Sequence, residues 1–162
     1  MTPRKKISPF IIVCIGIVAL IILGRHAISI HAVPSFDEFV QSTDNAASSI
    51  KAPLGNISVE VASTSVDREK GLGGQTSLEA GKGMLFIFPS PDTYGFWMKD
   101  TYIPLDMIWI DANKKVAGIA SDILPDTYPK VFSPPVPILY VLEVNAGAAK
   151  NFGIATGTQL VF

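Results

Sequence analysis

Six polar side chains in the C-terminal part of this 162-residue chain could take part in chemistry: Arg68, Lys99, Asp100, Thr101, Asp106 and Glu143. Three of them are consecutive in GFWMKDTYIPLDMIWID, residues 95–111, which otherwise carries mainly large apolar groups. Asp106 in that stretch and Glu143 in ILYVLEV, residues 138–144, each interrupt an apolar run. Burying an unpaired carboxylate costs on the order of several kcal/mol, so both carboxylates need partners.

Asp106 has a structural and a functional interpretation. In the structural one, it accepts backbone N–H groups of the turn at residues 102–104, or it pairs with Lys99. In the functional one, it is a general base or a ligand-binding carboxylate beside residues 99–101. The sequence leaves both open.

Glu143 has the same two interpretations. An ion pair with Arg68 or Lys99 would make it structural. A hydrolase would instead use two of the three carboxylates Asp100, Asp106 and Glu143 as a pair, about 5 to 10 Å apart across an open cleft.

Several classes of site are excluded by residue types that residues 57–162 lack. This segment has no cysteine, and both histidines, His26 and His31, precede it. Thiol nucleophiles and Ser-His-Asp triads are therefore excluded there, and zinc or copper sites lack their usual His and Cys ligands. Asp122 and Asp126 lack the spacing of a calcium loop, and the glycines fit no phosphate-binding motif, so we expect neither metal nor cofactor.

The charge of residues 57–162 argues against nucleic acid as a partner. Eight Lys and Arg stand against eleven Asp and Glu, a net charge of −3. The only basic run is Lys114-Lys115. A nucleic-acid interface needs clustered cations, which are missing here.

The N-terminus predicts a membrane anchor. Residues 7–24 form an uncharged run of 18 residues, preceded by a basic segment at residues 1–6. The run is long enough to span most of a ~30 Å hydrocarbon core, and the basic segment keeps the N-terminus cytoplasmic. We therefore expect a single-pass protein of the cell membrane, with a linker at 25–56 and an extracytoplasmic domain at 57–162. The alternative is a cleaved signal peptide and secretion.

Short elements with β periodicity predict the fold of that domain. Strands are expected at 56–62, 83–88, 95–101, 105–110, 116–120, 138–144 and 157–162. Two short helices are expected, one with Thr64 or Ser65 as its N-cap and with Gly71 or Gly73 as its stop, the other capped by Asn145. About seven short strands with two short helices predict a mainly β (α+β) domain, barrel-like or sandwich-like.

The order and spacing of several motifs resemble the DUF192 family, also called uncharacterised protein family UPF0127. The motifs are GLGGQTSL, GKGMLFIF, FWMKDTYIPLDMIWID, YVLEVNAG and GIATGTQLVF. The resemblance covers about residues 57–162 and implies a small β-rich domain, often exported or membrane-tethered, with no established activity. This chain has Gln75 where the family usually has arginine, and Asp100 where asparagine is common.

The favoured functional hypothesis is a binding or accessory module of the cell envelope. It would engage an envelope protein or a small molecule through Lys99, Asp100, Thr101 and the proline-rich loop at 125–137. The carboxylate-dependent hydrolase is the alternative, and an architectural role in a membrane complex is a third. Most large apolar side chains, including Phe86, Phe88, Trp97, Met98 and Trp109, are expected to form the core.

Overall fold

Six β-strands form one sheet in residues 48–162, the part of the chain that this computed structural model describes. They are β1 (Ser48–Ala52), β2 (Gly55–Ala62), β3 (Lys82–Asp92), β4 (Leu105–Ile110), β5 (Val116–Ile123) and β6 (Ile138–Asn145). Their order across the sheet is β1-β2-β3-β6-β4-β5. Only β2 and β3 are parallel, and the other neighbours are antiparallel.

Two short helices lie outside the sheet in residues 48–162. The first, α1, spans Ser65–Lys70, and the second, α2, spans Ala148–Asn151. A 3-10 turn covers Pro125–Thr127 at the start of the proline-rich loop. Thr64 caps α1 as predicted, because its hydroxyl accepts the N–H of Asp67 at 3.1 Å.

The sheet is buried on both faces, which explains the continuous apolar runs of its central strands. One face packs β-strand residues against α2 and the C-terminal segment, with a core of Ile50, Ile57, Val59, Leu85, Ile108, Ile110, Leu142, Val144, Ala149, Ile154 and Leu160. The other face packs against the turn after α1 and the segment before β4, with a core of Leu72, Met84, Phe86, Met98, Ile103, Leu105, Met107, Trp109, Ile138 and Val141.

The expected barrel-like or sandwich-like closure is wrong. The edge strands are β1 and β5, each paired with one neighbour, so the sheet is open. Two expected strands are also missing from the sheet: residues 95–101 contribute only the bridge Phe96–Phe132, and residues 157–162 only isolated bridges at Gln159 and Val161. Alternating side chains alone do not make a strand, because a strand also needs a continuous run of hydrogen bonds to a neighbouring strand.

The sheet begins earlier than the expected domain start. β1 lies in the segment assigned to the linker, and it pairs antiparallel with β2 from Ser48–Val59 to Ala52–Gly55. Ile50 is fully buried there. The polar composition around β1 obscured a strand whose inward positions are only Ile50 and Ala52.

The predicted membrane segment at 7–24 lies outside the described residues. Within residues 48–162, no helix is long and apolar enough to cross a membrane.

Candidate functional site

A cavity of about 310 Å³ opens beside α1 on the sheet face that carries Phe86. Its walls come from α1 and the turn after it, from the middle of β3, from residues 95–101 and from β6. The lining residues are Arg68, Glu69, Lys70, Gly71, Leu72, Phe86, Phe88, Gly95, Phe96, Trp97, Lys99, Thr101 and Glu143. Four of the six polar residues singled out in the sequence therefore meet here.

One wall is held in place by Arg68 of α1. Its Nη1 donates to the carbonyl of Ile87 at 2.9 Å and to the carbonyl of Ser63. The guanidinium also lies over the ring of Phe88, 5.2 Å from its centroid. Arg68 thus anchors α1 to β3 instead of pairing with Glu143, and the predicted ion pair is wrong.

The turn after α1 needs glycine. Gly71 ends the helix with φ of 48°, and its N–H donates to the carbonyl of Asp67 at 2.8 Å. A Cβ at this position would lie 3.3 Å from the ring of Phe86. Only glycine therefore allows the turn to pass this close to the core. The turn in this way places Leu72 in the core.

The opposite wall is the irregular segment 95–101. Trp97 is 52 % exposed at the rim, Met98 is buried beneath it, and Lys99 is exposed. Thr101 is 8 % exposed, and its hydroxyl lies 3.3 Å from the carbonyl of Lys99. This alternation places aromatic and cationic groups at the cavity while the methionine anchors the segment to the sheet.

Aromatic rings form the apolar part of the cavity. Phe96 packs edge-on against Phe86 at 5.1 Å and against Phe88 at 6.1 Å between centroids. Phe88 in turn stacks on Tyr94 at 3.7 Å. Phe86 belongs to the core as predicted, whereas Phe88 is only half-buried and Trp97 is at the surface, so the core prediction is wrong for Trp97.

Glu143 is the buried polar group of the cavity. It is 5 % exposed on the central strand β6, between Met84 of β3 and Met107 of β4. Its carboxyl makes no hydrogen bond or ion pair with any described residue, yet no buried side-chain oxygen there is both sealed and unpaired. Its oxygens therefore keep access to the cavity that it lines.

Burial changes the acidity of this carboxyl. Desolvation raises the pKa of Glu143 from 4.5 to about 8, because the neighbouring methionines provide no group that would stabilise the charged form. At neutral pH, Glu143 is therefore mainly a neutral carboxylic acid. In this form it has one O–H to donate and no acceptor among the residues described.

Asp106 lies outside the cavity, on the opposite face of the sheet. It stands opposite Val144, whereas Glu143 stands opposite Met107. Its two oxygens accept the backbone N–H groups of Asp122 at 2.9 Å and Ala149 at 3.0 Å. The structural interpretation holds in kind, but neither expected partner, the turn at 102–104 or Lys99, is used.

Through Ala149, Asp106 caps the second helix. The position before α2 is Gly147, which has no side chain to accept an N–H. Asn145, the predicted cap, instead donates its side-chain amide to the carbonyl of Leu78 at 2.8 Å. A carboxylate at the N-terminal turn of a helix satisfies an otherwise unpaired donor, so Asp106 is a structural residue.

Asp100 lies at an exposed turn, outside the cavity lining. Its φ is 54°, and its carbonyl accepts the N–H of Gly74 at 2.8 Å, which ties the turn to the loop after α1. Asparagine and aspartate are the non-glycine residues that best tolerate this conformation. Backbone geometry thus accounts for either residue at this position.

The carboxylate pair that a hydrolase would need is not assembled. Asp106 and Glu143 are on opposite faces of the sheet, and Asp100 is outside the cavity. No group of three or more Cys, His, Asp and Glu side chains in residues 48–162 could hold a metal ion. The hydrolase hypothesis therefore has no geometric support.

Several cavity residues were not singled out from the sequence: Glu69, Lys70, Gly71, Leu72, Gly95 and Phe96. Most lie on α1 and the turn after it, which are local elements whose position over β3 depends on the hydrogen bonds of Arg68. The predicted glycine stop of α1 was the one signal that a tight turn stood here.

The chain is similar to a known protein family. The model of the DUF192 family, described as "Uncharacterized ACR", matches residues 47–162. A comparison with the curated proteins found no match.

Among the solved structures that are similar to the chain are the following two. One is a candidate transcription regulator from Sinorhizobium meliloti 1021, with 32 % identity and a TM-score of 0.65 over 70 % of this chain and 89 % of that one. The other is a protein of unknown function from Novosphingobium aromaticivorans DSM 12444, with 34 % identity and a TM-score of 0.65 over 70 % of this chain and 82 % of that one.

Proposed function

We propose that this protein, which belongs to the DUF192 family, is a binding module for a small molecule. Members of this family have no established activity, so the proposal is argued from the cavity. The observation that carries this proposal is Glu143, a buried carboxyl without a protein partner that lines a cavity. Its oxygens reach the cavity, so its hydrogen-bonding capacity is left for a molecule that enters there. A ligand that enters the cavity would provide the missing partner.

The shape of the cavity also supports binding. A volume of about 310 Å³ is at the lower end of the range for small-molecule sites. Aromatic rings line one side, and a few polar groups converge from three different elements, which is the usual composition of such sites. The half-exposed Trp97 gives the rim a large apolar surface that a bound molecule would cover.

A thermal-shift screen of the full chain in a mild non-ionic detergent tests this proposal. The library should contain sugars, short peptides, nucleotides, organic acids and amines. A ligand present at about a hundred times its Kd stabilises by about 2.7 kcal/mol, which raises the midpoint by about 5 °C or more.

Two matched variants locate the binding. Trp97→Ala removes an exposed ring at the cavity, whereas Tyr102→Ala removes an exposed ring outside it; these rings are 52 % and 61 % exposed. The shift should be lost in Trp97→Ala and kept in Tyr102→Ala. Equal shifts in both variants, or no hit at millimolar concentrations, would refute the cavity as the binding site.

The membrane anchor is part of the same proposal. We propose that residues 7–24 hold the module at the outer face of a cell membrane, where its ligand or partner belongs to the envelope. The support is the uncharged 18-residue run with basic residues before it. A Thr76→Cys variant in a Cys14→Ser background should react with a membrane-impermeant maleimide on intact cells, and residues 1–24 should be present in the purified protein. Protection of the cysteine would contradict the topology, and loss of residues 1–24 would indicate a cleaved signal.

A further inference from the structure

The charges around Glu143 indicate the class of ligand that the cavity takes. Building on the proposed binding function, we propose that the ligand is a small organic carboxylate with an aromatic or other apolar body, whose carboxylate accepts a hydrogen bond from the carboxyl of Glu143. The body of the ligand then lies against the aromatic rings nearer the rim.

The charged groups of the lining favour an anion. Arg68 and Lys70 come from α1, and Lys99 comes from the segment 95–101. The only other charged group of the lining besides Glu143 is Glu69. The two strands beside β6 place no charged side chain next to Glu143, because its neighbours on them are Met84 and Met107. A cationic ligand would enter against a net positive field, whereas an anion would be attracted by it.

The protonation state of Glu143 points the same way. Because desolvation raises its pKa to about 8, the carboxyl holds its proton at neutral pH, and no described residue accepts that proton. A carboxylate is a strong acceptor for an O–H donor, and such charge-assisted bonds are about twice as strong as neutral ones. An amine would instead need Glu143 to lose its proton before the two could pair.

The apolar wall sets the rest of the ligand. Phe88 and Phe96 are half-buried at the cavity, and Trp97 is exposed at its rim. Flat or aliphatic groups pack on such rings, and a volume of about 310 Å³ has room for a small organic body. A simple inorganic anion would leave this surface uncovered.

Three probes that share one body and differ in head group test the inference: 3-phenylpropionate, 3-phenylpropionamide and 3-phenylpropylamine. Calorimetry with the full chain in detergent measures their affinities at pH 7 and pH 9. The anion should bind at least about tenfold more tightly than the amide at pH 7, and the amine should be weakest.

The pH dependence is the more specific test. A ligand that needs the proton on Glu143 binds about tenfold more weakly at pH 9 than at pH 7, as follows from a pKa of about 8. Its binding at pH 9 should take up close to one proton per molecule, which titrations in two buffers of different ionisation heat reveal. An affinity of the anion that stays constant between these pH values would refute the role of Glu143.

Variants separate the two contributions. Glu143→Gln should abolish both the pH dependence and the proton uptake. Lys99→Met should weaken anion binding about two- to fivefold and keep the proton uptake. Lys150→Met removes an exposed lysine outside the cavity and should change neither.

The outcomes distinguish this inference from the proposed function. Tightest binding by the amine, or equal binding by amide and anion, would overturn the carboxylate class and leave a binding module in place. Failure of all three probes would also overturn that class, while the broad screen with its Trp97 and Tyr102 variants decides the binding function independently.

Discussion

Replacing Glu143 by glutamine should remove a loss of stability that the wild-type domain undergoes as the pH rises. The folded form keeps the proton of this carboxyl up to a pKa of about 8, whereas the unfolded chain releases it near 4.5. Unfolding therefore releases a proton between these values, and wild-type stability falls with pH by up to about 1.4 kcal/mol per unit in this window. Below about pH 4.5 and above about pH 8, this contribution no longer changes.

Glutamine has nearly the same shape and does not titrate, so the variant lacks this slope. The difference in unfolding free energy, Glu143→Gln minus wild type, should grow by about 3 kcal/mol from pH 5 to pH 7.5. Urea unfolding followed by tryptophan fluorescence measures it, because Trp109 is buried in the core.

Other titrating groups are common to both proteins and cancel in the difference. Glu60→Gln, at an exposed position of β2, is the matched control and should show little pH-dependent difference. If the Glu143→Gln difference changes by less than about 1 kcal/mol over this range, the buried carboxyl is ionised at neutral pH and its pKa is not raised.

Three further outcomes are expected from urea unfolding. Asp106→Ala leaves the buried N–H of Ala149 and the partly buried N–H of Asp122 unpaired and should cost about 2 kcal/mol or more, and a cost below about 1 kcal/mol would contradict its capping role. A fragment 56–162 lacks β1 and should be at least about 3 kcal/mol less stable than a fragment 45–162; equal stabilities would show that β1 adds nothing. Gly71→Ala should destabilise more than Gly74→Ala, because both residues have positive φ but only the first would meet a neighbouring ring; the reverse order would refute the close-packing argument.

Much of the local structure could be predicted because its causes are local. The strand at 105–110 has the predicted bounds, and the strand that begins at 116 extends three residues further than expected. The cap at Thr64 and the glycine stop at Gly71 follow from side chains and backbone freedom within a few residues. The family resemblance from ordered motifs is confirmed, since the DUF192 match covers residues 47–162.

The partners of the polar residues depended on the tertiary structure. Asp106 accepts N–H groups from residues 16 and 43 positions further along the chain, which no local pattern indicates. The open sheet likewise depends on which strand edges meet, and β1 became visible only by its pairing with β2.

The sequence shows that carboxylates interrupt two apolar runs, and it identifies six candidate polar residues: Arg68, Lys99, Asp100, Thr101, Asp106 and Glu143. The roles of these residues depend on the tertiary structure. Strand pairing places Asp106 on the face where it accepts two backbone N–H groups. It places Glu143 on the other face, between two methionines and beside a cavity. The physical reason is that the pairing register decides which residues of adjacent strands share a face of the sheet. The register is a property of the whole sheet and not of one strand.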